Sequence, residues 1–501
     1  MNTKQLRQKI LDLAIRGKLV PQDPNDEPAS VLLERVRAEK ERLIKEGKIK
    51  RDKKDNATAS CDDKAHYGQL PQGWAWIKLS SIAAFAGGKT PSTNNNDFWN
   101  GTVNWATSKD MKVKYIDATQ IKMSHLGARQ MQMFNPNTLL IVVRSGILRR
   151  TLPLAILRVR STINQDLKAI SFYLDNVCEY CYYYFSTIEQ EILTKYQKDG
   201  TTVESINFEN FQEIEIPFPP LAEQRRIVSA IESAFAVIDK IERNKADLQA
   251  AVATAKRKTL SLAISGKLVP QDLNDEPASA LLERIRAERE ALGKAGKSKR
   301  GKVSAAAPRS GDRPHYGNVP FELPDTWELV RVSDVFIVNP RNVVEDFITV
   351  SFVPMTLIDD GFANHFAFQE KTWGEIKSGF THFQDGDVGL AKITPCLENR
   401  KSVVFRELMN GIGAGTTELH IFRPICVDTT IPDYLLWFIK SERFVNGCIN
   451  AFSGAVGQQR ISKDYVSNTF IPLPPFAEQR RIVSAIETTF KQLDSIVMAL
   501  T

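Results

Sequence analysis

Residues 216–232 read IPFPPLAEQRRIVSAIE, and residues 471–487 read IPLPPFAEQRRIVSAIE. Each is a proline-rich extended run leading into an amphipathic helix, and their near-identity decides how the chain is organised. A second pair of near-copies lies upstream. Leu13 to Glu39 read LAIRGKLVPQDPNDEPASVLLERVRAE, and Leu262 to Glu288 read LAISGKLVPQDLNDEPASALLERIRAE, with 23 identities in 27 positions. Between these copies lie two long stretches that hardly resemble each other. One scaffold built twice around two different inserts predicts a protein that reads two different things at a fixed separation.

The bulk numbers set wide bounds. A chain of 501 residues predicts two to four domains. The apolar share of 43% and charged share of 25% are ordinary for a globular protein. The net charge of +7 is a mild bias toward polyanionic partners. The opening MNTKQLRQKILDLAIRGKL lacks the apolar core of a signal peptide, and no apolar run reaches the ~18 residues of a membrane span. Six scattered cysteines fit a reducing, cytoplasmic setting better than a disulfide framework.

The shared blocks read as helix. From Leu221 an apolar stripe runs through Ile227, Ile231, Ala234, Ile238, Ile241, Leu248, Val252, Ala255 and Leu262. Its steps alternate four and three, with Lys245 and Thr259 in the two skipped places, which is a heptad seam seeking a partner helix. The last copy repeats the stripe as Ile482, Ile486, Thr489, Leu493 and Ile496; at the front, Leu6, Ile10 and Leu13 match Ala255, Thr259 and Leu262. The copies are offset by 249 residues at the front (262 − 13) and 255 at the back (477 − 222), so the repeat is circularly cut. The expectation is that the two terminal segments together make a second long helix, antiparallel to the central one.

The expected domains are a shared N-terminal helical region at 1–50, a first insert at 66–216, a central shared region with the long helix at 217–300, a second insert at 315–471, and a shared C-terminal helix at 472–501. Pro28 and Pro277 suit first helical turns. Basic, Gly/Lys/Ser/Ala-rich tails after Lys45 and Gly293 read as linkers. They run to His66-Tyr67-Gly68 and His315-Tyr316-Gly317. Each insert opens with a Pro and Trp pair, Pro71 with Trp74 and Pro324 with Trp327, and mixes short β-rich runs such as TLLIVVRSG (138–146) and DGDVGLAKITP (385–395) with turns.

No catalytic constellation stands out. FAGGKTP at 85–91 lacks the first glycine of a phosphate loop, since Ala83 occupies that place. Cys178-x-x-Cys181 has no second pair, and it reads as helix core within CEYCYYYF. Glu375-Ile376-Lys377 lacks the upstream aspartate of a metal-dependent nuclease, Asp359 and Asp360 lying in a DDG turn. There is no HExxH, GxSxG, GxGxxG or Asn-Pro-Pro-aromatic motif. The chain therefore reads as non-catalytic and metal-free.

The repeated blocks, the P-x-P-P exit followed by AEQRRI, and the two unlike inserts resemble the specificity (S) subunit of type I restriction-modification enzymes, over essentially the whole chain. GGKTPST (87–93), WATSKDM (105–111), RSG (144–146) and NQDLKAI (164–170) in the first insert look like motifs of that family's target recognition domains. So do GDVGLAKITPCLENRK (386–401), GTTELH (415–420) and GQQRIS (457–462) in the second. The resemblance implies an α+β fold: two α/β-mixed target recognition domains joined by an antiparallel two-helix coiled coil, with a pseudo-two-fold circular repeat. Each domain then reads one half of a bipartite, asymmetric duplex target. The helices space the two domains and dock methyltransferase (M) subunits, two per chain. The resemblance also implies restriction (R) subunits and a role in host defence. S-adenosylmethionine, ATP and Mg2+ belong to the partner subunits, and none is bound by this chain.

For DNA contact, polar residues in loops after β-runs are favoured: Thr107, Ser108, Lys109, Arg144, Ser145, Asn164 and Gln165 in the first insert. In the second they are Lys392, Thr394, Asn399, Thr416, Thr417, Glu418, Gln458, Gln459 and Arg460. Arg and Lys suit guanine, Asn and Gln suit adenine, and Glu accepts from cytosine. Arg149, Arg150, Arg158 and Arg160 are candidates for phosphate. In GTTVESINFENF, Glu204 stands where the family pattern leads one to expect a polar or basic residue. Arg225-Arg226 and Arg480-Arg481 suit either a subunit contact or a domain-to-helix salt bridge. The competing function is a coiled-coil scaffold joining two protein ligands without reading DNA.

Overall fold

A computed structural model describes residues 2–49, 70–198, 203–294, 322–455 and 457–499. Both His-Tyr-Gly triplets and nearly all of both linkers lie outside the described residues. The chain divides into two compact units, Met1–Asn244 and Lys245–Thr501.

The first unit begins with α1 (Thr3–Ile15), capped by the Asn2 side chain accepting from the Gln5 amide. In α2 (Ala29–Lys45), Ala29, Leu32 and Val36 are buried, at spacings that place them on one face. Pro28 is the N-cap, one place earlier than the first turn expected from the sequence. The insert follows as β1 (Ala75–Lys78), β2 (Ala83–Gly87), β3 (Trp99–Ala106), β4 (Tyr115–Ile116), β5 (Ile121–Met123), β6 (Leu139–Val142), β7 (Leu154–Leu157), β8 (Ser161–Ile163) and β9 (Leu167–Phe172). Then come α3 (Cys178–Thr187), β10 (Glu215–Phe218) and the 44-residue α4 (Leu221–Ile264), whose first part belongs to this unit and whose remainder, from Lys245, belongs to the second. One sheet has the order β2-β9-β6-β7-β4, a second has β5-β3-β8, and β1 pairs with β10. LLIV in β6 and LAIL in β7 are buried at every position, so their sequences show no alternation.

The second unit contains α5 (Ala278–Lys294), β11 (Glu328–Arg331), β12 (Phe336–Val338), β13 (Thr349–Val353), β14 (Gln369–Thr372), β15 (Thr381–Gln384), β16 (Val388–Ala391), β17 (Ser402–Val404), β18 (Ile412–Gly415) and β19 (Leu419–Pro424). It ends with α6 (Pro432–Ile439), β20 (Phe470–Leu473) and α7 (Phe476–Met498). Its sheets run β12-β19-β16-β17 and β14-β13-β18-β15, and β11 pairs with β20. In both units the second sheet contains a parallel pair, β3 with β8 and β13 with β18. Two inserts of unlike sequence thus share a framework.

The repeated blocks build one joint twice. The Trp74 indole donates to Glu223 and the Trp327 indole to Glu478, each over 2.9 Å. Arg226 grips Asp26 at 3.2 and 2.6 Å, and Arg481 grips Asp275 at the same two distances. Gly17 and Gly266 have φ of +64° and +68°, and a Cβ on either would lie 2.4 Å from Pro71 or Pro324. Identity between the copies is thereby explained at Gly17, Asp26, Glu223 and Arg226 and at their counterparts Gly266, Asp275, Glu478 and Arg481. The second arginine of each pair ties its helix to another repeated block, at Asp26 and Asp275, and not to an insert, whereas Arg225 and Arg480 are exposed.

Of the apolar stripe, Ile227, Ile231, Ile238, Val252, Ile482 and Ile486 are buried. Leu6, Ile10, Leu13, Leu262 and Leu493 are half-buried, and Ile241, Leu248 and Ile496 are exposed. The fully buried residues of α1 are Leu11 and Ala14. That helix also lies against α3, with Gln8 donating to the Thr187 carbonyl at 3.3 Å, so its apolar face is wider than a heptad seam. Thr3 meets Glu242 while Arg7 reaches Asp239 at 2.5 Å, so α1 runs opposite to α4 within the first unit. In the second unit, Lys256 of α4 bonds Asp494 of α7 at 2.6 Å and stands over Phe490.

Candidate nucleic-acid interface

In the first unit the parallel strands β3 and β8 end side by side at Ala106 and Ile163, and both chains turn there. Thr107 is buried; its amide and hydroxyl both donate to Asp110, at 2.8 and 2.9 Å. It shapes the turn, and its hydroxyl hydrogen is spent on Asp110. Ser108 is half-buried and Lys109 is exposed at the crest. Asn164 is likewise buried and closes a small turn, accepting from the Asp166 amide and donating to its carboxylate at 3.2 Å each. Gln165 is exposed and accepts from the Thr90 hydroxyl.

Thr90 arrives there because Gly88 crosses directly over the turn. A Cβ on Gly88 would lie 2.1 Å from the Asn164 carbonyl oxygen, and the Lys89 amide donates to the Ile163 carbonyl. Exposed Lys89 and Thr90 therefore belong to the site, as does Asp166. None of the three is among the residues favoured from the sequence for DNA contact, although Lys89 and Thr90 lie in GGKTPST and Asp166 in NQDLKAI, two stretches that resemble recognition-domain motifs. The paired glycines are a legible signal of close backbone approach.

Arg144 follows β6 and donates through Nε to Asp166 at 3.0 Å. Ser145 caps a short turn by accepting from the Ile147 amide, and its own amide donates to the Glu204 carbonyl. Glu204 accepts from Arg149, which holds its carboxyl below the usual range. The acidic residue that departs from the family pattern is thus paired locally.

The four phosphate candidates flank β7: Arg149 and Arg150 precede it, and Arg158 and Arg160 follow it. Arg158 stacks at 3.6 Å over Tyr115, whose hydroxyl donates to Glu179 on α3. Burial and that carboxylate push the Tyr115 phenol well up. Nearby, Lys114 bonds Glu232 of α4 at 2.6 Å. Arg158 is exposed and stacks beside the joint between insert and helix.

In the second unit most candidates do converge. The Lys392 amide donates to the Glu418 carbonyl, and Thr394 and Gln459 exchange two hydrogen bonds at 3.0 and 3.2 Å. The Thr416 hydroxyl accepts from the Glu418 amide, and Thr417 is exposed beside it. Arg460 holds Glu418 with two bonds of 2.9 Å, lowering that carboxyl below its usual range, and also donates to the Gln458 carbonyl. Asn399 stands apart. Its carbonyl accepts from the Gly361 amide, and neighbouring Phe362 packs edge-on against Phe490 of α7. The Asn399 backbone is thus tied to the segment that packs on the helices, while the residue itself is exposed. Behind it, buried Lys440 donates to the Gly361 and Arg400 carbonyls, and burial brings its ammonium down to about 7.

Among the described residues no three His, Cys, Asp or Glu side chains are placed to hold a metal ion, and no helix is long and apolar enough to cross a membrane. Cys178 and Cys181 are buried on α3, where burial pushes both thiols up. Glu375 closes a capping box with Thr372, which accounts for the EIK sequence.

The family described as type I restriction modification DNA specificity domain matches twice, at residues 71–250 and 324–497. The chain is 45% identical over 235 residues to the specificity subunit of the type I restriction enzyme EcoEI of Escherichia coli, covering 47% of this chain and 38% of that one. It is 45% identical over 225 residues to that of EcoAI, also of E. coli, covering 45% of this chain and 37% of the relative. These matches span less than two fifths of either relative. A solved structure from a study of complex assembly and conformational transition of the type I R-M system shares the fold at 17% identity. It covers 86% of this chain and 94% of that chain, with a TM-score of 0.53.

Proposed function

The chain belongs to the type I restriction-modification DNA specificity family, and on that premise we propose that it is the sequence-reading subunit of a type I complex. Each insert reads one half of a bipartite, asymmetric duplex. Phosphate contacts set position, and base-edge contacts set identity. The chain contributes no catalytic group. The methyltransferase subunits that it docks, two per chain, methylate adenine N6 with S-adenosylmethionine. Restriction subunits add ATP- and Mg2+-dependent cleavage, and the complex works in the cytoplasm. The helices space the inserts as an antiparallel coiled coil. That is supported by the opposed run of α1 and α4 and by the Lys256–Asp494 tie.

The observation that carries the reading is the doubled framework. The turn between β8 and β9 carries Asn164, Gln165 and Asp166 in one unit, and the turn between β18 and β19 carries Thr416, Thr417 and Glu418 in the other, with Arg144 and Arg460 bonded to their carboxylates. Like geometry with unlike polar groups suits two readers of different half-sites. The deciding experiment is a mobility shift of the full chain co-expressed with a type I methyltransferase subunit. A salt-sensitive preference for one duplex supports the reading. Equal affinity for every duplex, with protein ligands still bound, would leave only the scaffold function.

A further inference from the structure

The two inserts can be aligned position by position where β6 and β16 end. The last pair of β6 with β9 is Val142 with Leu167, and that of β16 with β19 is Ala391 with Leu419. One residue on, the Val143 amide donates to the Asp166 carbonyl at 2.8 Å, and the Lys392 amide donates to the Glu418 carbonyl at 2.9 Å. The Val143 carbonyl accepts from Ile206, and the Lys392 carbonyl accepts from Ile461, each at 2.9 Å. Isolated bridges then join Arg144 with Ser205 and Ile393 with Arg460. Asp166 therefore corresponds to Glu418, Arg144 to Ile393, and Ser205 to Arg460. Even the supporting turns agree, since Asn164 and Thr416 each accept the amide of the carboxylate residue at 3.2 Å.

On this shared frame each unit holds an arginine–carboxylate pair at the same place. Arg144 bonds Asp166 at 3.0 Å, and Arg460 bonds Glu418 twice at 2.9 Å. The arginines come from opposite sides of the bridge. Two unlike sequences arrive at one chemistry by different routes, and stability does not demand it. The arginine side chains are 56% and 43% exposed, where an ion pair contributes little.

We propose that these pairs are the guanine-reading elements of the two half-sites, an inference that rests on the DNA-reading function above. Arg144 and Arg460 are the specificity-determining residues, and Asp166 and Glu418 are positioning residues. A guanidinium has five N–H donors in a fixed plane. The carboxylate occupies part of it and fixes its orientation, and the remaining donors suit the O6 and N7 acceptors of a guanine in the major groove. Holding the side chain before DNA arrives removes part of the ordering cost of binding. Entry from opposite sides of the bridge presents the same group in two directions.

The test is selection from a randomised duplex library by the full chain co-expressed with a type I methyltransferase subunit. The wild type is expected to select a two-part pattern. Arg460→Lys should lower the preference for guanine at one position of one part by about tenfold or more, and Arg144→Lys should do so in the other part alone. Asp166→Asn and Glu418→Gln should blur those same positions at unchanged melting temperature. If all four variants keep the wild-type pattern, with affinity lowered equally for every sequence or not at all, the pairs are not readers. If the wild type selects no pattern, the DNA-reading function itself fails, and this inference with it.

Discussion

Arg226 holds Asp26 through two guanidinium nitrogens at 3.2 and 2.6 Å, tying the start of α4 to the turn before α2. The Asp26 side chain is only 9% exposed while that of Arg226 is 35% exposed, so the pair is partly shielded from solvent. Arg226→Ala is expected to destabilise the first unit by about 1–3 kcal/mol, since it leaves a buried carboxylate short of its partner. Arg225→Ala, on the exposed neighbour, should cost less than about 0.5 kcal/mol. Thermal melts of the two variants check the contrast, and equal losses would contradict it.

Gly17→Ala should destabilise more than Gly47→Ala. Both glycines have left-handed φ, +64° and +71°, which costs any side chain about 1 kcal/mol. At Gly17 the added Cβ also lies 2.4 Å from Pro71, while nothing lies within 4 Å at Gly47. The melting temperature should fall clearly further for Gly17→Ala. The same substitution at Gly266, against Pro324, should behave like Gly17.

Acid should weaken the second unit first. His382 and His420 are buried there, and burial lowers both below the ordinary imidazole value. His420 donates through Nε2 to the Ile461 carbonyl and accepts at Nδ1 from Asn339, and His382 accepts at Nδ1 from the Asn342 amide, so the neutral ring is the one that fits. With folded pKa values depressed, the unfolded state binds more protons at acid pH. This stabilisation is therefore present above about pH 6.5 and is lost as pH falls through the folded values. Melting temperature measured from pH 7.5 to 5 should drop, and His420→Gln should flatten the drop. A pH-independent melt in the wild type would contradict the argument.

Exchanging residues 66–216 for another first recognition domain should alter one half-site and leave the other unchanged, read by sequencing methylated adenines. The incoming segment must bring a tryptophan for Glu223 and a proline under Gly17, because those contacts form the joint. A change in both halves would sink the modular arrangement.

The duplication, the two unlike inserts, the long helix and the Cys178/Cys181 core were legible in the sequence alone. Repeats and helical periodicity are local patterns; burial follows the stripe at Ile227, Ile231 and Ile238 but not at Ile241, Leu248 or Ile496, which are exposed. The helix predicted from Leu221 to Leu262 spans Leu221–Ile264. The shared framework of the inserts was not legible, because buried strands such as LLIV carry no alternation and pairing order leaves no local trace.

Which polar residues face outward was likewise decided only by tertiary contacts. Thr107 and Asn164 look like readers in the sequence but spend their hydrogen bonds on their own turns, and Arg158 is drawn to Tyr115 beside the helices. Asp166 and Lys89 gain their places from chain crossings distant in sequence. A side chain's hydrogen bonds go to whatever groups folding brings within about 3 Å, and for loop residues those groups come from elsewhere in the chain. Composition and spacing therefore determined the scaffold, whereas long-range pairing determined the composition of each candidate reading surface.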